Sequence, residues 1–348
     1  MAIFNQFIQS FSDNPNKKGD QFEYFVKEFL INDPYWKSKV KTVWPFKEAP
    51  INWGPDIGTD LIFEDHDGKY WAVQAKKYDS EHSVTKDDVN SFLSDSNRPN
   101  IHKRLLIIST NKIAKNGLKT INDQEKKVVV FRLQDFEDRG DIYPDNLSDL
   151  LNFKLQEPPK PRPHQQESIK DVVEGFKTSS KGQLIMACGT GKTYTYFWIH
   201  KDLKSNKTLV LVPSLNLLSQ TLQEWIKANG SSFRSLCVCS DPTTVKNIQE
   251  DEIILEQSDL PYAVSWDVDE ITSFLKRPEP TIIFSTYQSS GLITEAQKNV
   301  PNHIFDLSIA DEAHRCTGKA DSDFTIILDD KKIRSHKKLF GTATPKLY

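Results

Sequence analysis

The sequence predicts an α/β protein of two domains, each built around its own sheet. At 348 residues the chain is long enough for two domains of ordinary size. Short apolar runs typical of buried strands recur in both halves, each followed by turn residues or a helical pattern. Residues 157–163 include four prolines, a density that suits neither a helix interior nor a sheet. We therefore predict one domain at 1–152, a proline-rich linker at 153–163 and a second domain at 164–348.

The composition is that of an ordinary soluble globular protein. The hydrophobic fraction is 37% and the formal net charge is −3, so nucleic-acid binding would have to come from local basic patches. The four cysteines show no metal-ligand spacing, and Cys188 lies in a glycine-rich loop, which favours a reducing, cytoplasmic setting. The first residues lack the basic start of a signal peptide, and no apolar run approaches the ~18 residues of a membrane span. We expect no membrane partner.

The most specific motif is a phosphate-binding loop at 186–193, with the sequence MACGTGKT. An apolar run precedes it and a helical pattern follows it, which is the strand–loop–helix context that such a loop needs. Met186 stands where the general pattern has glycine, as in a known variant of the loop. Glycines let backbone N–H groups surround the phosphates, a lysine reaches the β- and γ-phosphates, and a threonine hydroxyl binds Mg²⁺. The predicted ATP-binding residues are Gly189, Thr190, Gly191, Lys192 and Thr193.

Two carboxylates follow another apolar run, at 307–310. Beside a phosphate-binding loop, Asp311 would hold the Mg²⁺ shell and Glu312 would orient the attacking water. Upstream, Gln165 lies just before the first helix of this domain, where its amide could read adenine.

In this order the motifs resemble the first motor lobe of superfamily 2 helicases and translocases of the Asp-Glu-Ala-His type, over about residues 160–348. The resemblance implies a RecA-like parallel sheet, ATP and Mg²⁺ as cofactors, and double-stranded DNA as the partner. It adds His314 to the nucleotide site. The residues it assigns to DNA contacts follow two other apolar strands and are Pro213, Ser214, Thr286 and Gln288.

A working motor of that family closes ATP between two lobes, and the second lobe supplies an arginine finger. The sequence ends three residues after Pro345, directly after a motif. We therefore expect the second lobe either on a downstream part of the chain, which we favour, or on a partner protein, and little ATP hydrolysis without it.

The first domain carries a second candidate site on a predicted hairpin. A glycine-rich segment at 54–58 leads into a strand, an Asp-Gly pair at 67–68 marks the turn, and a strand returns over 69–77. Gln74 and Lys76 are two residues apart on the return strand, so both lie on one face.

The position of Asp60 relative to that face depends on the length of the turn. A two-residue turn would pair Asp60 with Ala75 and put its carboxylate on the other face. A three-residue turn with a left-handed glycine would pair Asp65 with Lys69, and therefore Asp60 with Gln74. Both turns suit an Asp-Gly pair, so the sequence permits the cluster without deciding it.

The cluster suits metal-dependent cleavage of phosphodiester bonds. Asp60, the Gln74 side-chain carbonyl and the Ala75 backbone carbonyl would bind Mg²⁺. Lys76 would position or activate water and offset charge on the phosphate. The alternative is a solvated hairpin face, since alternating polar residues are typical of an edge strand.

These residues resemble the Mrr branch of the PD-(D/E)xK nucleases over about residues 15–140, which implies an α/β/α restriction-endonuclease-like fold. The resemblance also makes Glu23, on the first long helix, a candidate for the metal site and ranks Asp56 below Asp60. The chain as a whole resembles the N-terminal part of Type ISP restriction enzymes. This resemblance depends on the combination of the nuclease-like hairpin, the proline-rich linker, the phosphate-binding loop and the segment at 236–275. In that family a methyltransferase and a target-recognition domain follow the motor.

We therefore predict an ATP-dependent DNA restriction and translocase protein of a prokaryotic defence system. One alternative is a DNA-repair or RNA helicase with an accessory nuclease-like fold. Others are a non-catalytic ATP- and DNA-binding module and a nuclease for which the motor lobe is only a tether.

Overall fold

The computed structural model describes residues 3–51, 53–54, 58–139, 143–152, 157–239, 260–316 and 323–344. Contacts divide the chain into two compact units. The first contains 1–157 and 255–262, and the second contains 158–254 and 263–348. Each unit combines helices with a sheet, so the predicted α/β class is confirmed.

The first unit is a five-stranded mixed sheet with helices on both faces. Its strands lie in the order β1-β2-β3-β4-β5, antiparallel from β1 to β3 and parallel from β3 to β5. The elements are α1 (Phe4–Gln9), α2 (Pro15–Asn32), α3 (Pro34–Lys39), β1 (Val40–Pro45), β2 (Leu61–Asp65), β3 (Tyr70–Lys76), α4 (Lys86–Asp95), β4 (Ile101–Ile108), α5 (Lys115–Asn122), β5 (Val128–Phe131) and α6 (Leu133–Glu137).

The two faces of this sheet are covered by different helices. On one face, Phe29 of α2 packs against Phe131 of β5, with ring centroids 5.2 Å apart. On the other face, Phe92 of α4 and Ile121 of α5 share a buried cluster with Ala72 of β3. The result is the predicted α/β/α arrangement.

The second unit is built on a parallel sheet of seven strands in the order β6-β12-β11-β7-β10-β8-β9. The elements are α7 (Pro163–Gly175), β6 (Lys181–Ile185), α8 (Lys192–Asp202), β7 (Lys207–Val212), α9 (Leu215–Asn229), β8 (Ser235–Val238), β9 (Val264–Ser265), α10 (Val268–Leu275), β10 (Thr281–Thr286), α11 (Ser290–Lys298), β11 (Phe305–Ala310) and β12 (Ser335–Thr342).

The parallel sheet fixes where polar residues can meet. β7 and β10 are buried almost throughout, which explains why the sequence shows them as continuous apolar runs. The residues that follow β6, β7, β10, β11 and β12 all lie at the carboxyl edge of the sheet, where open α/β proteins bind their ligands.

Pro163 corrects one expectation about the proline-rich segment. It is the first residue of α7 and therefore part of a helix. Proline suits this position because its fixed φ matches the first turn and its missing N–H would have no helical partner there. No helix in the described ranges combines the length and apolar character that crossing a membrane requires.

Candidate functional sites

The hairpin between β2 and β3 has the three-residue turn. The Asp65 N–H donates to the Lys69 carbonyl at 2.9 Å, and Gly68 has a φ of 76°. The register of β2 against β3 ends with Leu61 opposite Val73, and the Asp60 N–H donates to the same Val73 carbonyl at 2.9 Å. The predicted three-residue turn is therefore present, and the assembly of a metal site from these residues stays a prediction.

Asp60, Gln74 and Lys76 form a compact polar group at the end of this hairpin. One Asp60 carboxylate oxygen accepts the Ala75 N–H at 2.7 Å, and the other lies 3.7 Å from Lys76 Nζ. Asp60 is 7% exposed and Gln74 is 1% exposed. Lys76 keeps 37% of its side chain exposed, so its charge stays within reach of solvent.

The Gln74 amide has one engaged end and one free end. Its Nε2 donates to the Gly58 carbonyl at 3.0 Å, whereas its buried Oε1 has no hydrogen-bond partner. A buried oxygen without a donor is uncommon in folded proteins, and a hard cation is one partner that would satisfy it. Among the described residues no three His, Cys, Asp or Glu side chains are placed to hold a metal. A cation here would rely on Asp60, the Gln74 oxygen and backbone carbonyls, and the residues present fit that role.

Asp95, at the end of α4, holds the segment that leads to Asp60. Its buried carboxylate accepts from Trp53 Nε1 at 2.8 Å and from Thr59 Oγ1 at 2.9 Å. Gly58 packs so tightly here that a Cβ would lie 2.9 Å from a backbone nitrogen of α4. The sequence reading missed Asp95, which looks like an ordinary acid at a helix end.

Glu23 belongs to α2, which covers the face of the sheet opposite to Gln74 and Lys76. It is half-buried, and a role at the metal site would require it to reach the end of β3 from the other side. That role stays a prediction, and Asp56 lies outside the described residues. Nearby, burial and Lys18 lower the pKa of Lys77.

In the second unit, the predicted phosphate-binding loop joins β6 to α8. Gly189 and Gly191 have φ values of 76° and 85°, a left-handed region that favours glycine. Lys192 is the first residue of α8, so the helix N-terminus, where backbone N–H groups favour anions, adjoins the loop. Thr193 follows it, and its carbonyl accepts from an indole of α9 at 3.2 Å.

Gln165 is engaged by the loop itself. Its Nε2 donates to the carbonyls of Thr190 and Gly191 at 3.3 and 3.1 Å, and its Oε1 accepts the Arg162 N–H at 2.8 Å. Both amide protons are used, so reading adenine through Nε2 would break one of these bonds. The predicted adenine contact stays a prediction.

The two carboxylates after β11 meet the loop lysine. Lys192 Nζ lies 2.9 Å from Glu312 Oε1 and 3.5 Å from Asp311 Oδ1. Burial raises the pKa of Asp311, and Lys192 and a hydrogen bond from Tyr196 oppose that rise. The Tyr196 hydroxyl donates to Asp311 Oδ1 at 2.8 Å. It passes so close to Gly341 that a Cβ there would lie 1.6 Å from the hydroxyl oxygen, so only glycine fits at that position.

Glu312 has a left-handed backbone with a φ of 49°. This conformation costs a residue with a Cβ about 1–2 kcal/mol. Its carboxylate bridges Lys192 and His314, whose Nδ1 lies 3.3 Å from Glu312 Oε2 and 3.2 Å from Thr342 Oγ1. Backbone strain of this kind concentrates at functional sites.

Two family models match the chain. One, described as a restriction endonuclease and of the Mrr catalytic type, matches residues 31–141. The other, described as Type III restriction enzyme, res subunit, matches residues 158–347, which is more than half of the chain. The chain belongs to this family. It joins a restriction-endonuclease domain to a helicase lobe.

Solved structures and curated proteins are similar to parts of this chain. The ATP-dependent Type ISP restriction-modification enzyme LlaBIII bound to DNA is 30% identical, with a TM-score of 0.78 over 96% of this chain and 22% of that one. A nuclease-deletion mutant of the Type ISP enzyme LlaGI, in complex with a DNA substrate mimic, is 33% identical over 55% of this chain and 18% of that one, with a TM-score of 0.43. The probable helicase A859L of African swine fever virus is 33% identical over 186 residues, 53% of this chain and 19% of the viral protein.

The resemblance to Type ISP restriction enzymes predicted from the motif order is therefore confirmed. The chain spans about a fifth of the length of these relatives.

The four residues predicted to contact DNA in this res-subunit lobe lie after two neighbouring strands. β7 pairs with β10, so Pro213 and Ser214 lie at the same sheet edge as Thr286 and Gln288. Ser214 caps α9 by accepting a backbone N–H at 3.4 Å. Thr286 is buried, and its hydroxyl is 2.8 Å from the Ser289 hydroxyl. The four residues lie at one edge of the sheet, with Thr286 as the last residue of β10, and their contact with DNA stays a prediction.

Proposed function

We propose that this protein is an ATP-dependent DNA restriction protein. Its nuclease domain would cleave DNA with Mg²⁺, and its helicase lobe would bind ATP–Mg²⁺ and act on double-stranded DNA. The LlaBIII complex, which aligns over 96% of this chain, supports this reading over a repair or RNA helicase. We further propose a cytoplasmic role in prokaryotic defence, with a second motor lobe, methyltransferase and target-recognition domain beyond these residues, since this chain matches only 22% of LlaBIII.

The observation that carries the nuclease proposal is the unsatisfied Gln74 Oε1, buried beside Asp60 and Lys76. Asp60, Gln74 and the Ala75 carbonyl would hold a divalent cation, which when bound would activate water and polarise the phosphate. Lys76 would orient the phosphodiester and offset its charge, because its side chain is 37% exposed and its Nζ lies 3.7 Å from Asp60. Asp95 would keep Asp60 in place by holding Thr59.

The nuclease is tested by nicking of supercoiled plasmid DNA with Mg²⁺ or Mn²⁺, together with Mn²⁺ binding. We expect Asp60→Ala to lose both, because it removes the one carboxylate of the set. Lys76→Ala should keep Mn²⁺ binding and lose nicking. Glu64→Ala is the matched control, since Glu64 is on the same hairpin and pairs with Lys41 at 2.8 Å. Nicking that survives Asp60→Ala would reject this site.

The ATP proposal rests on the contacts that Lys192 of the phosphate-binding loop makes with the carboxylates of Asp311 and Glu312. Lys192 would contact the β- and γ-phosphates, Thr193 and Asp311 would hold Mg²⁺, and Glu312 would orient water. Lys192→Ala should abolish nucleotide binding measured by calorimetry. Lys201→Ala removes the same charge from the exposed end of α8 and should preserve binding.

A further inference from the structure

The two peptides that flank the Asp311 Cα are each anchored by a hydrogen bond from or to a neighbouring element. The Asp311 N–H donates to the Leu211 carbonyl of β7 at 2.9 Å, which extends the sheet by one bond. The Asp311 carbonyl accepts the Tyr287 hydroxyl at 2.6 Å. The bond to the Asp311 carbonyl is the one that bears on the orientation of the Asp311–Glu312 peptide. Glu312, whose φ is 49°, follows directly.

Tyr287 is well placed to control that carbonyl. It is completely buried, and its ring lies in the cluster beneath the turn with Ile327 and Ile333. Its backbone is fixed as well, because its carbonyl accepts the Ser290 hydroxyl at 2.6 Å. A displacement of the 3-10 turn that contains Tyr287 would therefore also displace the Tyr287 hydroxyl.

That turn is the one that carries two of the predicted DNA contacts. Tyr287 lies between Thr286 and Gln288, in the short 3-10 turn that ends β10. A duplex bound at this turn would act on the backbone of Tyr287 from the outside, and the hydroxyl reaches Asp311 on the inside. The path consists of one side chain and one hydrogen bond.

We propose that Tyr287 is a positioning residue that sets the orientation of Glu312 and makes it respond to DNA bound at the 286–289 turn. This inference rests on the proposed motor function. Tyr196 supplies a matched comparison, since its hydroxyl donates to the same Asp311, at the carboxylate instead of the carbonyl. Tyr287 acts on the backbone and Tyr196 on the metal-binding group.

The test uses Tyr287→Phe and Tyr196→Phe in the full chain, each of which removes one oxygen. Hydrogen–deuterium exchange of the peptide spanning 307–314 is measured with and without a short DNA duplex, alongside duplex affinity, Mg–nucleotide affinity and melting temperature. In the unchanged chain the duplex should slow exchange in this peptide. Tyr287→Phe should reduce that response about fivefold, the equivalent of one neutral hydrogen bond, while the duplex still binds. Tyr196→Phe should weaken Mg–nucleotide binding and keep the response to DNA.

The outcomes separate this inference from the function beneath it. A DNA response that persists in folded Tyr287→Phe, or is missing from the DNA-bound unchanged chain, overturns the positioning role alone. If Tyr287→Phe does not fold, Gln288→Ala decides the matter in its place. This variant should lower the affinity for the duplex and reduce the DNA-induced slowing of exchange in 307–314 to the same degree. Slowing of exchange that is kept despite weaker binding overturns the proposal. Failure of the unchanged chain to bind nucleotide or duplex overturns the motor function and this inference with it.

Discussion

The substitution Gln74→Glu replaces a single amide nitrogen of the candidate nuclease site by an oxygen. That nitrogen donates to the Gly58 carbonyl at 3.0 Å, from a side chain that is 1% exposed. The variant therefore sets two acceptors against each other in a buried place. It also adds a second carboxylate at the end of the hairpin that carries Asp60.

The size of the effect follows from these contacts. Losing the hydrogen bond and leaving a buried acceptor without a donor costs about 1–3 kcal/mol. A bound cation would offset most of that cost, because the added carboxylate would become a ligand. If 1.4 kcal/mol corresponds to a factor of ten, metal affinity should rise roughly tenfold to a hundredfold.

Thermal unfolding of the full chain across a Mn²⁺ titration measures both effects. Without metal the variant should melt below the unchanged chain, and with metal its melting temperature should rise by more. Gln134→Glu adds the same charge at an exposed position of α6 and should leave metal affinity unchanged. If Gln74→Glu binds Mn²⁺ no more tightly than the unchanged chain, Gln74 Oε1 is not a metal ligand and the nuclease reasoning is refuted.

Three further predictions concern the motor unit. Gly341→Ala should destabilise it by about 1–3 kcal/mol or more, because the new Cβ would lie 1.6 Å from the Tyr196 hydroxyl, whereas Gly291→Ala, with open space around it, should be tolerated in the same denaturation assay. In a form with both motor lobes, Glu312→Gln should keep the ATP affinity measured by equilibrium binding and stop hydrolysis in single-turnover assays, since an amide cannot polarise or deprotonate water. An equal loss of ATP binding would mean that Glu312 holds the metal. Burial lowers the pKa of His200 to about 4, below its usual 6.5. The unfolded state therefore takes up the proton first, and the free energy of unfolding decreases as the pH falls from 6.5 towards 4. His200→Gln should flatten that part of the curve of stability against pH, and an unchanged slope would contradict the prediction.

Local patterns made much of the fold predictable from the sequence. The buried strands of the parallel sheet are continuous apolar runs, and the phosphate-binding loop combines turn glycines with a following helix. The sequence does not decide the length of the hairpin turn, because both turn types suit Asp-Gly. What selects the longer turn is the Asp65 carboxylate, whose Oδ1 accepts the N–H groups of Asp67 and Lys69 at 2.9 Å each. That carboxylate is visible in the sequence, but its preference for these two donors is not.

Contacts between residues far apart in the sequence were not predictable. Tyr196 and Asp311 are separated by 115 residues, and Thr59 and Asp95 by 36. A tyrosine within a helix and an acid at a helix end have many possible partners, and the sequence alone does not rank them. Gln165 shows the same limit: the sequence pattern places it just before a helix, whereas it lies within the first turn of α7 and its amide bonds to the phosphate-binding loop.

The free energies at the Asp311–Glu312 peptide are closely matched, and this bears on how the motor would be controlled. The left-handed backbone of Glu312 costs about 1–2 kcal/mol, and the hydroxyl bond from Tyr287 to the Asp311 carbonyl contributes about 0.5–1.5 kcal/mol net. The Glu312 carboxylate would keep its contacts with Lys192 and His314. Because the other two free energies are similar, loosening the Tyr287 bond should shift the orientation of Glu312 by roughly fivefold in population. A water-orienting carboxylate that was rigidly fixed could not respond to DNA, and one without support would not hold the attacking water. Glu312 lies between these extremes, because its backbone is left-handed and the Tyr287 hydroxyl donates to the carbonyl of the residue before it.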